Sequence, residues 1–273
     1  MVAALTDYKS NVTSQSGEDG LIAEILRRIG TESRFCVEFG AWDGKHLSNT
    51  WSLWHDQGWS AVLIEGDPSK AADLEASLAD YPAVTAHCAF VAASGENTLD
   101  AILQRLGAPR VVDVLSIDID GDDYQVFDSV ESFPARVVVI EYNPTIPPHL
   151  ELIGTPGSYF GSSARSLYKL AQAKGYALAA CTTTNLIFVR RADFHKLGIT
   201  EPRLEDVMPL DNLTYVITAY DGATFLSRQP TYKNSMSTSL RETLSASRAK
   251  SRRLAELRRR LTSILAVSIR RGR

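Results

Sequence analysis

At 273 residues the chain has room for one large α/β domain and an appendage. Its composition, 44% hydrophobic and 22% charged, is that of an ordinary globular protein, and no apolar run approaches the length of a bilayer span. The net charge of −3 conceals a division. From Arg241 to Arg273 eleven Lys and Arg stand against Glu242 and Glu256, a net of +9 that leaves −12 for the rest of the chain. An acidic main body disfavours phosphate-backbone binding, so nucleic acid is not an expected partner.

Residues 1–13 read as a lead-in. They lack the charged start and apolar core of a signal peptide, which makes a cytoplasmic location the expectation. Cys36, Cys88 and Cys181 are too dispersed for a disulfide framework or a zinc site. Leu21, Ile22, Ile25, Leu26 and Ile29 form a helical stripe ended by Gly30. The Ser14–Asp19 stretch before it carries helix-start chemistry, or contacts made by Gln15 to a cofactor or acceptor.

Phe35 to Phe39 reads as a buried strand followed by a tight turn in which Gly40 and Gly44 allow positive φ. Ser48, Asn49 or Thr50 would cap a helix running to Gln57, with Gly58 as its stop. Ala61 to Ile64 is a second strand ending in Glu65, a carboxylate placed to accept both hydroxyls of a ribose. The dinucleotide fingerprint Gly-x-Gly-x-x-Gly is absent, which disfavours a dinucleotide or nucleotide-sugar enzyme. Helices over Pro68–Leu78, Thr98–Leu106, Tyr124–Phe133 and Ser166–Lys174 alternate with strands over Val84–Val91, Val111–Ile119 and Arg136–Tyr142. That alternation predicts parallel βαβ units wound right-handedly. Tyr176–Ala180 and Asn185–Val189 look like a terminal antiparallel pair. Between the fifth strand and the next helix lies a long Pro- and Gly-rich stretch, 144–163, read as a lid or acceptor loop. One short strand is expected near Tyr215–Ala219.

The spelling Glu38-Phe39-Gly40-Ala41-Trp42-Asp43-Gly44, then Ser48-Asn49-Thr50, Gly58-Trp59 and Leu63-Ile64-Glu65, resembles the FkbM-type S-adenosylmethionine-dependent methyltransferases. The likeness extends to Ser14-Gln15, Glu18-Asp19, Ser116-Ile117-Asp118-Ile119-Asp120-Gly121, Ile140-Glu141-Tyr142-Asn143 and Lys174-Gly175-Tyr176, so it covers roughly residues 14–192. The family usually has Lys where Ser116 stands and Glu where Asp120 stands. The resemblance implies a doubly wound, mostly parallel α/β sheet of the class I methyltransferase type with an antiparallel terminal strand. It also implies S-adenosylmethionine as cofactor, held by Gln15, Glu38, Gly40, Ala41, Asp43, Gly44, Asn49, Glu65 and Asp118. O-methylation of a saccharide, glycan or other hydroxylated small molecule is the implied activity. The rival reading is a non-catalytic interaction protein that keeps the fold.

An alcohol acceptor must lose a proton, and Asp120, Glu141, His149 and His46 are the candidate bases, with His149 the preferred histidine. Asp118, Asp120, Asp122 and Asp123 crowd into six residues. Asp120-Gly121-Asp122-x-Tyr124 is similar to the macrocin-type, magnesium-dependent O-methyltransferases, which implies Mg²⁺ or Mn²⁺ on Asp118, Asp120, Glu141 and Asn143. Asp122 and Asp123 read equally as a helix-start acidic pair. Residues 193–239 form a C-terminal extension and 240–273 a basic amphipathic tail with Leu254, Leu257, Leu261 and Ile264 in a narrow seam. That seam suits docking on the chain's own body or a homo-oligomer contact, or, with its basic face, a peripheral membrane contact.

Overall fold

The computed structural model describes residues 4–227, so the expectations for the tail from 240 lie outside the described residues. The chain divides into two compact units, Met1–Leu210 and Asp211–Arg273. In the first unit, α1 (Glu18–Ile29) precedes β1 (Phe35–Phe39) and β2 (Ser60–Glu65). Then come α2 (Pro68–Ser77), β3 (Val84–Cys88), α3 (Leu99–Arg105), β4 (Val112–Ile117), α4 (Asp123–Ser129), β5 (Ala135–Glu141), α5 (Ala164–Ala173), β6 (Tyr176–Cys181) and β7 (Asn185–Arg190). Two short helices, α6 (Arg191–Phe194) and α7 (Leu204–Val207), follow in the same unit. In the second unit β8 (Val216–Thr218) pairs with β9 (Thr224–Leu226) as an antiparallel ribbon.

The seven strands of the first unit lie in the order β3-β2-β1-β4-β5-β7-β6. Neighbours from β3 to β5 are parallel, and β7 runs antiparallel to both β5 and β6. This is the mostly parallel, doubly wound sheet that the βαβ alternation predicts. The four central strands are apolar along nearly their whole length because both faces are covered. On one face Phe35, Val37, Phe39, Leu115, Val138 and Ile140 pack with Leu103, Phe127 and Leu167 of α3, α4 and α5. On the other, Cys36, Val114, Val137 and Ile187 pack with Leu21 and Ile25 of α1 and Leu74 of α2. Among the described residues no helix is long and apolar enough to cross a membrane.

The chain order reverses between β1 and β4, where the sheet is wound outward in both directions. Ligands of such sheets sit in the crevice beyond the strand carboxyl ends at that switch point. Here the two strands meet closely: a Cβ on Gly40 would stand 2.0 Å from the carbonyl oxygen of Asp118. Gly40 also has a φ of +73°. Both requirements select glycine.

Two local expectations need correction. The glycine turn does not lead straight into a helix. Trp42 and Leu47 take left-handed φ values of 45° and 57°, and only a short π-type turn over Ser52–Asp56 forms. Ser48 braces the chain just before it, its hydroxyl accepting from the N–H groups of Thr50 at 3.2 Å and Trp51 at 2.9 Å. The third strand ends at Cys88 rather than Val91, because its pairing with β2 ends at Glu65.

Candidate functional site

A cavity of about 600 Å³ opens at the carboxyl ends of β1, β2 and β4. That size suits a ligand of drug or cofactor dimensions. Its wall takes in Glu38, Gly40, Ala41, His46, Asn49, Glu65, Asp118 and Asp120 from the sequence reading. Asp43, Gly44, Gln15, Glu141, Asn143 and His149 are not part of the wall.

Glu65 ends β2 with each carboxylate oxygen already accepting one backbone donor, Trp42 N–H at 2.9 Å and Asp67 N–H at 2.8 Å. Each oxygen keeps a further lone pair, which suits a vicinal diol. Beside it, Gly66 leaves room for Phe90, whose ring a Cβ at Gly66 would meet at 2.6 Å. Phe90 is 73% exposed and faces the cavity as a bare apolar plane. The sequence reading missed Phe90 because Ala89-Phe90-Val91 continues the apolar pattern of the strand. Trp42 and Lys70 were also missed. The Lys70 ammonium lies 4.7 Å from the Trp42 ring centroid, and His46 meets that ring edge-on at 4.9 Å.

Glu38 lines the cavity, but its carboxylate is occupied. It accepts from Ser48 Oγ at 2.5 Å, Thr50 Oγ1 at 2.7 Å and Asn49 N–H at 2.8 Å. Burial pushes its pKa up, against the pull of these donors. Glu38 therefore fixes the loop after the glycine turn. Asn49 in turn donates to Ser116 Oγ at 3.1 Å. Asp43 likewise closes its own turn, accepting from Lys45 and His46 N–H at 2.9 and 2.7 Å.

Gln15 is exposed, its amide 3.5 Å from Thr184 Oγ1. The acidic residues next to it bind the lead-in to the body. Asp19 accepts the N–H groups of Val12, Thr13 and Ser14 at 2.7–3.0 Å. Glu18 accepts from Thr182 Oγ1 at 2.5 Å and Asn185 Nδ2 at 3.2 Å.

At the ends of β4 and β5 the carboxyl groups crowd together. Burial raises the pKa of Asp118, and Asp123, Asp120 and Glu38 raise it further. Burial and then Asp118 raise that of Glu141. Like charges this close in a buried setting resist ionising together, so the cluster favours holding a proton. Asp123 is pushed up to about 6 by burial, although it accepts from Ile119 and Gly121 N–H at 3.0 Å each. Asp120, with a left-handed φ of 57°, stays on the cavity wall.

The metal reading is corrected here. Asn143 turns its amide to the loop, accepting from Thr145 N–H at 2.9 Å and donating to Phe160 O at 2.7 Å. Asp122 accepts from Gly157 N–H at 2.8 Å. Among the described residues no group of three or more His, Cys, Asp or Glu side chains is placed to hold a metal ion. The residues Asp118, Asp120, Glu141 and Asn143 thus do not fit Mg²⁺ or Mn²⁺. His149 sits exposed on the loop outside the cavity wall. His46 is the histidine on that wall.

The loop 144–163 does lie at the cavity, as expected for a lid, with Gly157, Ser158 and Tyr159 in its wall. Tyr159 was not anticipated, since nothing in a Pro- and Gly-rich stretch marks which residue faces a ligand.

No protein-family model and no curated protein matches the sequence. Solved structures of similar fold are methyltransferases at low identity. An O-methyltransferase from Bacillus cereus in complex with SAH is 15% identical with a TM-score of 0.45, over 68% of this chain and 86% of that one. The N-terminal domain of EvdMO1, solved with SAH and D-fucose, is 12% identical with a TM-score of 0.42, over 64% and 82%. The CMeT domain of the citrinin polyketide synthase is 11% identical with a TM-score of 0.39, over 57% of this chain but only 46% of its own length. The strand order and the antiparallel β7, rather than these distant likenesses, mark the fold as the class I methyltransferase α/β fold.

Proposed function

We propose that the chain is an S-adenosylmethionine-dependent methyltransferase of the FkbM type that methylates a hydroxyl oxygen of a small molecule or glycan. The observation that carries this reading is the cavity at the switch point. It joins a glycine that admits close backbone approach, a carboxylate with free lone pairs at the tip of the second strand, and a bare aromatic plane beside it. In that cavity Glu65 would hold the ribose hydroxyls and Phe90 would face the adenine. Gly40 and Ala41 would line the methionine end. Bound there, S-adenosylmethionine supplies a methyl group already activated on a positively charged sulfur.

The protein's own part is to orient, desolvate and accept a proton. Asp120, on the cavity wall, takes the proton that the acceptor hydroxyl loses as its oxygen is methylated. Asp118 adds a second acidic side chain to the same wall. The test is calorimetric titration of the whole chain with S-adenosylmethionine, S-adenosylhomocysteine and NAD. Saturable binding of the first two without NAD is expected. Binding of NAD alone, or of none of the three, would overturn the reading.

A further inference from the structure

The backbone around Tyr159 is fixed from several sides. Gly157 N–H donates to Asp122 at 2.8 Å, Gln125 donates to the Gly154 carbonyl at 2.7 Å, and Asn143 donates to the Phe160 carbonyl at 2.7 Å. Ser158 N–H donates back to Thr155 at 3.0 Å. A Cβ on Gly121 would stand 2.4 Å from the Ser158 carbonyl oxygen, so glycine there lets the loop settle onto the end of β4. The Asp120-Gly121-Asp122 spelling thus acts as the seat of the loop.

Tyr159 itself contrasts with this anchoring. It is 91% exposed while lining the cavity, and among the described residues no ring contact involves it. A large planar side chain on an anchored backbone offers stacking area with little further loss of chain entropy on binding. The charges beside it are of one sign. Asp120 and Asp122 flank Gly121, on which the Ser158 carbonyl rests, and Asp122 holds Gly157 N–H, whereas Lys70 and His46 sit against Trp42. An anionic group next to Tyr159 would meet these acidic side chains.

We propose that Tyr159 is the platform on which the methyl acceptor's ring rests, and that this acceptor is a ring-bearing hydroxyl compound without anionic groups. The ring's face lies on Tyr159 and its hydroxyls reach Asp120. The proposal rests on the methyltransferase reading above and deepens it by naming the acceptor class and the residue that selects it.

The test uses the full chain with S-adenosylmethionine and four probe acceptors: catechol, methyl α-glucopyranoside, glucosamine and glucose 6-phosphate. S-adenosylhomocysteine formation is the readout, and its direct binding is measured in parallel. Transfer to at least one unphosphorylated ring is expected, with the phosphorylated one poorest. For the best probe, Tyr159→Ala raises KM by about tenfold or more with kcat little changed, the pattern of lost acceptor binding. Tyr159→Phe restores the wild-type KM, and S-adenosylhomocysteine affinity stays the same in both variants. An unchanged KM in Tyr159→Ala, preference for the phosphorylated ring, or no transfer to any probe by a chain that binds the cofactor would overturn the proposal. Failure of the wild-type chain to bind cofactor would instead remove the reading beneath it.

Discussion

The two ends of β4 and β5 carry the same kinds of charge and treat them in opposite ways. At the amino end Asp113, fully buried on β4, accepts three backbone N–H groups from Glu32, Ser33 and Arg34. It also pairs at 2.8 Å with Arg136, which begins β5. Arg136 is buried too, and it reaches Asp193 at 3.3 Å and the carbonyl oxygens of Ile29 and Gly30. The guanidinium and these donors hold Asp113 below the usual carboxylate range, against its burial, and the charges around Asp193 lower that group as well. At the carboxyl end Asp118, Asp123 and Glu141 crowd together with Asp120, among the described residues no ion pair involves them, and burial drives all three upward. A buried charge is stable when paired and costly when not. The paired end therefore holds the fold together. The unpaired end stores a demand for positive charge that a cationic ligand would meet, and it lies where the sheet topology places ligands.

The largest way to break that contrast is at the paired end. Arg136→Ala leaves Asp113 and Asp193 without their shared cation, and about 3–5 kcal/mol of stability should disappear in urea unfolding, the range for breaking a buried pair. A loss under about 1 kcal/mol would mean the amides alone hold Asp113. At the ligand end, Glu65→Gln should leave unfolding nearly unchanged while S-adenosylhomocysteine binding weakens by about 1.5–3 kcal/mol, the range for hydrogen bonds to a charged group. Equal affinity in the folded variant would take Glu65 out of the ribose role.

Much of the fold was legible because βαβ alternation leaves few topologies. Val37-Glu38-Phe39-Gly40 and Ile64-Glu65 fixed where the cavity would open, since strand, turn and carboxylate follow one another in the chain. What failed was anything decided by partners distant in sequence. Four aspartates in six residues suggested a metal, yet Asp122 accepts from Gly157, 35 residues on. Asp113 looked like an interruption in an apolar strand. Its partner, Arg136, lies 23 residues on, and nothing local announces the pair. Phe90 was absorbed into a strand because hydrophobicity does not reveal where pairing stops. His149 was favoured for its loop, but a loop's path is set by anchors such as Asn143 to Phe160, whose pairing periodicity cannot predict.

The finest test separates the two ends by pH. Glu141 has a folded-state pKa above its ordinary value of 4.5, so the folded state holds its proton more tightly than the unfolded chain does. The stability that this proton confers is complete below about pH 4.5 and drains away as pH rises towards the folded value. Asp113 runs the other way: its folded pKa lies below 3.8, so its contribution is present at neutral pH and fades only in acid. Glu141→Gln removes the titrating group and spares Asp118 a neighbour that could ionise. The variant should gain on the wild type with rising pH, by on the order of 1 kcal/mol per pH unit at most, the limit for one proton. Urea unfolding of both proteins without cofactor at pH 5, 6, 7 and 8 reads this directly. Parallel curves across the series would show that Glu141 holds no extra proton in the folded chain, and the contrast between the two ends would then rest on Asp118 and Asp123 alone.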